Sequence, residues 1–354
     1  MAGGSNLSIT TGWDASDELS GFNRNKAGVS YYIPVVGPTQ GWDMLNSQTG
    51  VASGSNPYSY TRIGISSLGA FAVGTRPVLS PLLVSPKVIL QGPVNTGTGI
   101  MLDGLRTKTV VSGGTTDATH GVIPISDPYT GLSGFTHSGS GGLETITPGV
   151  FGVFNITNDD AIVDWVFVSI HDGITGTVLS TRAALIQRDG DVVETDGVSP
   201  VNMAGNIAAN YFVSVRHRNH LGVRSAANMA LAKTTTTAYN FSSAQAQAYQ
   251  NPAILANPAP NNNPAMKDLG SSRFSLWGGN SNSNNNVRFT GLQNDAGVII
   301  TALGGQQGNT LNPAYHTSDL NMDGTVKYTG LNNDAGVLLT ILSGIQSAVY
   351  TQHL

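Results

Sequence analysis

The chain has 354 residues, no cysteine, and 17 basic against 21 acidic side chains for a formal charge of −4. Neither disulfides nor thiol chemistry can therefore hold or operate it, and so few Lys and Arg, with no basic run, argue against a nucleic-acid surface. Charged residues make up 11% of the sequence and hydrophobic ones 40%, with 44 glycines, where an average globular protein carries about 25% charged residues. That mix describes a folded, turn-rich β-protein and not a disordered chain. The length suffices for two or three domains. No apolar stretch reaches the ~20 residues that a membrane-spanning helix needs. The first ten residues, MAGGSNLSIT, show neither the charged nor the apolar stretch of a secretory leader. A net charge near zero gives little repulsion between copies and tolerates self-association.

Residues 1–30 carry little apolar pattern beyond Leu7-Ser8-Ile9. They read as an N-terminal arm, either laid on another subunit by strand addition or attached as a loose tail. Residues 31–80 form a short β segment, with strand signals in VSYYIPVV (29–36), YSYTRIGI (58–65) and GAFAVG (69–74). Trp13 and Trp42 are either interface anchors or a sugar platform. Residues 81–245 carry the strongest strand signals: VSPKVILQGP (84–93), AIVDWVFVSIHD (161–172), TVLSTRAALIQRDGDVVET (177–195) and ANYFVSVRHRNHLGVRS (209–225). Val163, Trp165, Phe167 and Ser169 alternate with Asp164, Val166 and Val168, and an Asp-Gly turn sits in Arg188-Asp189-Gly190-Asp191. This spacing predicts a mainly β chain built on an antiparallel β-sandwich. The Gly/Ser/Thr-rich stretch 107–150, with His120, His137 and Glu144, reads as loops. Residues 246–270 hold Pro252, Pro258, Pro260 and Pro264; that density predicts a linker or strap without regular elements.

Residues 271–354 contain a repeat. NSNSNNNVRFTGLQNDAGVIITALGG starts at Asn280 and DLNMDGTVKYTGLNNDAGVLLTILSG at Asp319, an offset of 39 residues, so two similar units stacked on each other are expected. In the second copy Asp319, Asn321 and Asp323 alternate and Gly324 follows. This is the opening of a calcium loop, with oxygen ligands at alternate positions and a glycine for the sharp turn. Thr325 completes that run. A standard loop closes at its twelfth residue, which here is Gly330, so Asp334 is the expected closing ligand of a longer loop. The first copy offers Asn280, Asn282, Asn284 and Asp295, and amides bind Ca²⁺ more weakly than carboxylates. Plain turns and Asx caps are the competing reading of both loops. The apolar runs VIITAL and VLLTIL, ended by Gly304 and Gly344, predict short helices with glycine stops.

Several strings resemble secreted or surface-displayed Bacteroidota proteins, often exported by the type IX system. They are Ala161–Phe167 (AIVDWVF), Arg182–Asp191 (RAALIQRDGD), Tyr211–Gly222 (YFVSVRHRNHLG), PKVILQGP, HGVIPISDPYTGLSGFTHSGSGG and the RFTG and KYTG copies, together spanning roughly residues 80–350. The resemblance implies a β-sandwich followed by a small C-terminal domain of two dockerin-like loop–helix repeats. It also implies export, an extracellular or cell-surface location and calcium in the repeats. It implies no reaction.

Among residues that carry chemistry, His217 and His220 in Arg216-His217-Arg218-Asn219-His220 read either as a metal pair with Asp159 or Asp160 or, more simply, as a strand-end cluster. Asp189, Asp191, Glu194 and Asp196 fall on one hairpin, which suits a solvated turn better than a glycosidase pair. No nucleophile elbow stands in a strand–turn–helix context. The expectation is a non-enzyme: a structural subunit of an extracellular or cell-surface self-assembling filament, sheath or tube, partnered with itself and stabilised by calcium. The alternative is a secreted module of a cell-surface adhesin that binds a glycan or docks a surface protein. Neither a nucleic-acid partner nor a membrane span is expected.

Overall fold

A computed structural model describes residues 7–33, 41–42, 49–65, 69–75, 82–112, 115–117, 121–139, 141–146, 148–151, 158–203, 209–233 and 235–354. The chain divides into two compact units, Met1–Ser80 and Pro81–Leu354. It is mainly β, with antiparallel sheets and few helices.

In the first unit, β1 (Leu7–Trp13), β2 (Ala27–Ile33), β3 (Gly41–Trp42), β4 (Thr49–Gly50), β5 (Tyr58–Ile65) and β6 (Phe71–Thr75) are short, as their Gly- and Pro-punctuated runs require. β1 pairs antiparallel with β5 from Leu7↔Ile65 to Trp13↔Tyr58. Part of the expected arm is therefore a strand within its own unit. Its partner lies some fifty residues further on, out of reach of any local pattern. β2 pairs with β6, β4 and β3. Trp13 meets the Phe22 ring edge-on at 5.5 Å and Tyr58 at 6.1 Å. Trp42 lies on β3, and its side chain lies outside the described residues, as does His120.

The second unit opens with β7 (Leu82–Lys87), a short helix α1 (Gly104–Thr107) and the hairpin β8 (Val110–Ser112) and β9 (Thr115–Asp117). The long strands follow: β10 (Ile162–Asp172), β11 (Val178–Gln187), β12 (Val192–Val193), β13 (Val201–Met203), β14 (Ala209–His217), β15 (His220–Arg224), β16 (Met229–Leu231) and β17 (Thr236–Asn240). One sheet runs β12-β11-β10-β14-β15 with β16 also on β14; another runs β13-β7-β17. The β17–β7 pair is parallel, a departure from the all-antiparallel expectation that its wide sequence separation allows. Side chains from both sheets, among them Leu82, Val84, Val201, Trp165, Leu185 and Val213, share one core. Each such apolar side chain contributes roughly 1.5–3 kcal/mol on burial.

The period-two pattern of β10 predicts one wet face. Instead Ile162 to His171 are all buried. The loop segment around Tyr129 and Phe135 covers the face bearing Phe167, with ring centroids at 5.4 and 5.3 Å. Tyr129 Oη donates to the Trp165 carbonyl and Trp165 Nε1 to that of Pro124. The Gly/Ser/Thr-rich stretch is loop, as read, but part of it closes the core.

The proline-rich segment holds α2 (Pro252–Leu255) and, with the residues after it, β18 (Lys267–Gly270) and β19 (Arg273–Ser275). Regular elements were not expected there. Pro252 stands at the first helical position, where a missing N–H costs nothing, and Asn251 caps the helix by accepting from Ala253 N. Beyond it lie β20 (Asn286–Arg288), α3 (Asp295–Ala302), β21 (Thr310–Leu311), β22 (Val326–Lys327), α4 (Asp334–Ile341) and β23 (Val349–Thr351). Each helix ends near a left-handed glycine, Gly304 or Gly344, where a side chain would be strained. The strands are exchanged: β22 of the second copy pairs with β21, and β20 of the first pairs with β23. Thr310↔Lys327 in one pair corresponds to Val349↔Arg288 in the other. The copies are thus interlocked as well as adjacent, around a core that includes Val287, Ile299, Leu320, Val326, Leu338 and Tyr350.

Candidate metal loops and the buried junction between them

In the second loop Asp319 Oδ1 accepts from Asp323 N at 3.1 Å and Oδ2 from Gly324 N at 2.8 Å. Asn321 Oδ1 accepts from the same Asp323 N, and its amide donates to Asn332 O at 3.1 Å. Asp334 opens α4 and accepts from Leu320 N at 2.7 Å and Lys327 N at 2.8 Å. These side chains therefore fold their own loop back on itself. Asp319 and Asp334 are fully buried, and their hydrogen-bond donors are backbone amides. Burial pushes both carboxyls up to about 7, with the neighbouring Asp323 charge adding to the push. Asp323 Oδ1 is buried with no hydrogen-bond partner among the described residues. Buried carboxylates that accept only from backbone amides, together with that orphaned oxygen, fit a hard divalent cation with oxygen ligands. Thr325 stands differently. Its Oγ1 takes the Lys108 ammonium at 2.6 Å, and Lys108 also donates to the Asp323 carbonyl at 3.1 Å.

The first loop repeats the hydrogen bonds without the charge. Asn284 N donates to Asn280 Oδ1 and Asn282 Oδ1, and Asp295 accepts from Ser281 N and Arg288 N. Asp295 is also pushed by burial to about 7. With one carboxylate where the second copy has three, this loop holds its turn by amides alone.

The β14–β15 hairpin tip sits between the two loop openings. Asn280 N donates to the Asn219 carbonyl at 3.0 Å, and Asn219 Nδ2 donates to the Asp319 carbonyl at 2.7 Å. Ser283 Oγ donates to the Arg218 carbonyl. Behind the tip lies a fully buried network. His217 Nε2 is 3.0 Å from Asp164 Oδ2, Arg218 Nε donates to the same oxygen at 3.0 Å, and Tyr315 Oη donates to Asp164 Oδ1 at 2.8 Å. His217 Nδ1 and His220 Nδ1 are 3.0 Å apart, and His220 Nε2 accepts from Gly92 N at 3.1 Å. That last bond puts the His220 proton on Nδ1, between Asn219 Oδ1 at 2.8 Å and His217 Nδ1; His217 then donates through Nε2 to Asp164. Burial lowers both histidines, His220 well below its ordinary value, so both stay neutral. Burial alone would raise Asp164, but the Arg218 charge and the His217 hydrogen bond outweigh it and hold the carboxyl below its usual value.

The structure thus brings His217 and His220 together, but on Asp164 and not on Asp159 or Asp160. The string Arg218-Asn219 serves as the joint between sheet and loops. The hairpin acids are each engaged: Asp189 and Asp191 hold Lys87, Glu194 takes Arg182 through two nitrogens, and Asp196 caps the turn at Val198 and Ser199. Asp164, Lys108 and Gly92 were not singled out in the sequence; the one available signal was the aspartate interrupting the apolar run of β10. Comparison with protein families, with curated proteins and with solved structures finds no match for this chain.

Proposed function

We propose that the chain is a structural subunit of an extracellular or cell-surface polymer, a filament, sheath or tube. In this reading a β-sandwich is followed by two dockerin-like repeats related to those of exported Bacteroidota proteins, the second repeat holding calcium. The observation that carries it is the β1–β5 ribbon. It is two-stranded, and β1 has no ladder partner on its outer edge among the described residues. A seven-residue edge strand with Ser8, Thr10 and Gly12 exposed is a ready template for a strand of another copy, and two strands alone make a marginal sheet. The His217, His220, Asp164 and Arg218 side chains are buried against one another, which suits load-bearing better than turnover.

A second reading, the glycan-binding module of an adhesin, is favoured by a cleft of about 440 Å³ in the first unit, lined by Trp13, Asp17, Glu18, Leu19 and Phe22. Aromatic faces beside carboxylates are the usual furniture of a sugar site. Sedimentation velocity over a range of concentrations separates the two readings. The wild-type chain is expected to form large species, and Ser8→Lys/Thr10→Lys, which charges the edge, to remain monomeric with the melting of the second unit unchanged. A wild-type chain that stays monomeric throughout would contradict the polymer, and polysaccharide quenching of Trp13 fluorescence in that monomer would establish the second reading.

A further inference from the structure

Asp127, His137 and Glu144 lie apart from both repeat loops and from the Asp164 network, yet one ligand atom from each falls within 4.8 Å of the other two. Their loops are fixed to each other and to the sheet. Asp127 N donates to the Glu144 carbonyl at 2.9 Å, and Ser126 bridges Thr145. Ser138 N donates to Thr181 Oγ1 at 2.9 Å and Thr181 N to the Ser138 carbonyl at 3.0 Å, which docks His137 on β11. The side chains of Asp127, His137 and Glu144 are only 3%, 14% and 0% exposed. We infer that these three residues form a binding site for a first-row divalent transition cation such as Zn²⁺, with one imidazole nitrogen and two carboxylate oxygens as ligands.

The spacing is the first support. His137 Nε2 stands 2.9 Å from Asp127 Oδ2. Two donors about 2.0–2.1 Å from one tetrahedral ion stand roughly 3.3 Å apart, so an ion replaces this hydrogen bond with the pair opening by a few tenths of an ångström.

The second support is the other ring nitrogen. His137 Nδ1 is 3.1 Å from Thr181 Oγ1, whose hydroxyl also reaches the Ser138 carbonyl at 3.2 Å. With its proton on Nδ1 the imidazole donates to Thr181, and Thr181 donates to the carbonyl. The bare Nε2 then faces the Asp127 carboxylate, an arrangement relieved by a cation between them. A hydrogen-bond acceptor on the far nitrogen that fixes tautomer and ring is the usual support of a metal-bound histidine, and the Thr181 hydroxyl takes that place here. Glycine fixes the ring from the other side. A Cβ at Gly141 would stand 2.9 Å from His137 Nδ1 and 2.3 Å from the Thr181 carbonyl, and one at Gly142 3.0 Å from the ring carbons.

Charge is the third support. Arg182 is the one guanidinium that serves Glu194, through Nε and Nη2, and Glu144, through Nη1 at 3.2 Å. Arg182 thus serves two carboxylates, and Asp127, whose partners are Tyr129 N, Thr130 Oγ1 and His137, adds a third that a divalent ion would balance. The remaining hydrogen bonds, Gly142 N to Glu144 Oε2, Tyr129 N to Asp127 Oδ1 and Thr130 Oγ1 to Asp127 Oδ2, hold the carboxylates and leave lone pairs open. The imidazole selects a transition cation over calcium.

The test is titration of the chelator-stripped full chain with zinc chloride in calcium-containing buffer, read by calorimetry and by metal analysis after dialysis. One zinc per chain is expected, with a raised melting temperature. His137→Gln should remove that binding, and Thr181→Ala, which deletes the positioning hydroxyl, should weaken it about 10–100-fold. Asp319→Ala should leave it unchanged, which separates this site from the repeats. Glu144→Gln is the second variant should His137→Gln not fold, and near-UV circular dichroism checks both. Absence of stoichiometric zinc in the wild-type chain, or equal zinc in folded His137→Gln or Glu144→Gln, would overturn the assignment.

Discussion

At the scale of single residues, the second loop and the hairpin tip are two opposite solutions to burying charge. Asp164 is ionised because Arg218, His217 and Tyr315 all point at it; removing one partner of such a group typically costs 3–5 kcal/mol. Asp319 and Asp334 accept hydrogen bonds from backbone amides, and burial raises them to about 7 from an ordinary 3.8 although the Arg218 charge pulls Asp319 the other way. A raised carboxyl favours the protonated fold. In metal-free protein their contribution is therefore full below the unfolded value and is lost as pH rises through about 7. Under the proposed calcium loading the ion takes the ionised form, so the stabilisation it would add has the reverse slope. The lowered histidines His217 and His220 contribute fully above their unfolded value of 6.5 and lose that contribution as pH falls below it through their lowered folded values, but they do so with or without calcium and drop out of the difference. The melting-temperature gain from calcium over chelator should accordingly be larger at pH 8 than at pH 5, and Asp334→Asn should flatten it. A gain independent of pH would mean that these acids only cap turns. The alternation of Asp319, Asn321 and Asp323 before Gly324 was legible because a loop of this kind is local. The partner of His217 was not, because Asp164 lies 53 residues earlier, and Lys108 precedes Asp323 by 215.

At the scale of elements, the joint between sheet and loops depends on close backbone approach. A Cβ on Gly92 would stand 2.1 Å from the Leu320 carbonyl oxygen, inside the second loop, while Gly92 N holds His220. Neither backbone atom can step aside cheaply. Gly92→Ala should therefore cost on the order of 2–3 kcal/mol in urea unfolding and reduce the stabilisation by calcium as well. Gly308→Ala, with nothing within 4 Å of its Cβ, serves as the control and should do neither. Loss of stability in Gly92→Ala with an unaltered calcium response would separate the joint from the loop. The 39-residue offset is legible in the sequence, and the apolar runs after each loop form the helices α3 and α4. Strand exchange between the copies left no trace, because strands of two or three residues such as β21 and β22 carry no periodicity to read.

At the scale of the whole molecule, the chain divides into Met1–Ser80 and Pro81–Leu354. The mainly β class followed from short β-branched runs between glycines and prolines. The parallel β17–β7 pair and the two covered faces of β10 did not, since both depend on segments that meet only after folding. The central claim, that this chain is a polymer subunit with a calcium-supported second repeat, is tested most directly by negative-stain electron microscopy of the full chain with calcium and with chelator. The account predicts ordered polymers with calcium that disperse or lose order in chelator. Discrete small particles in both conditions would contradict it.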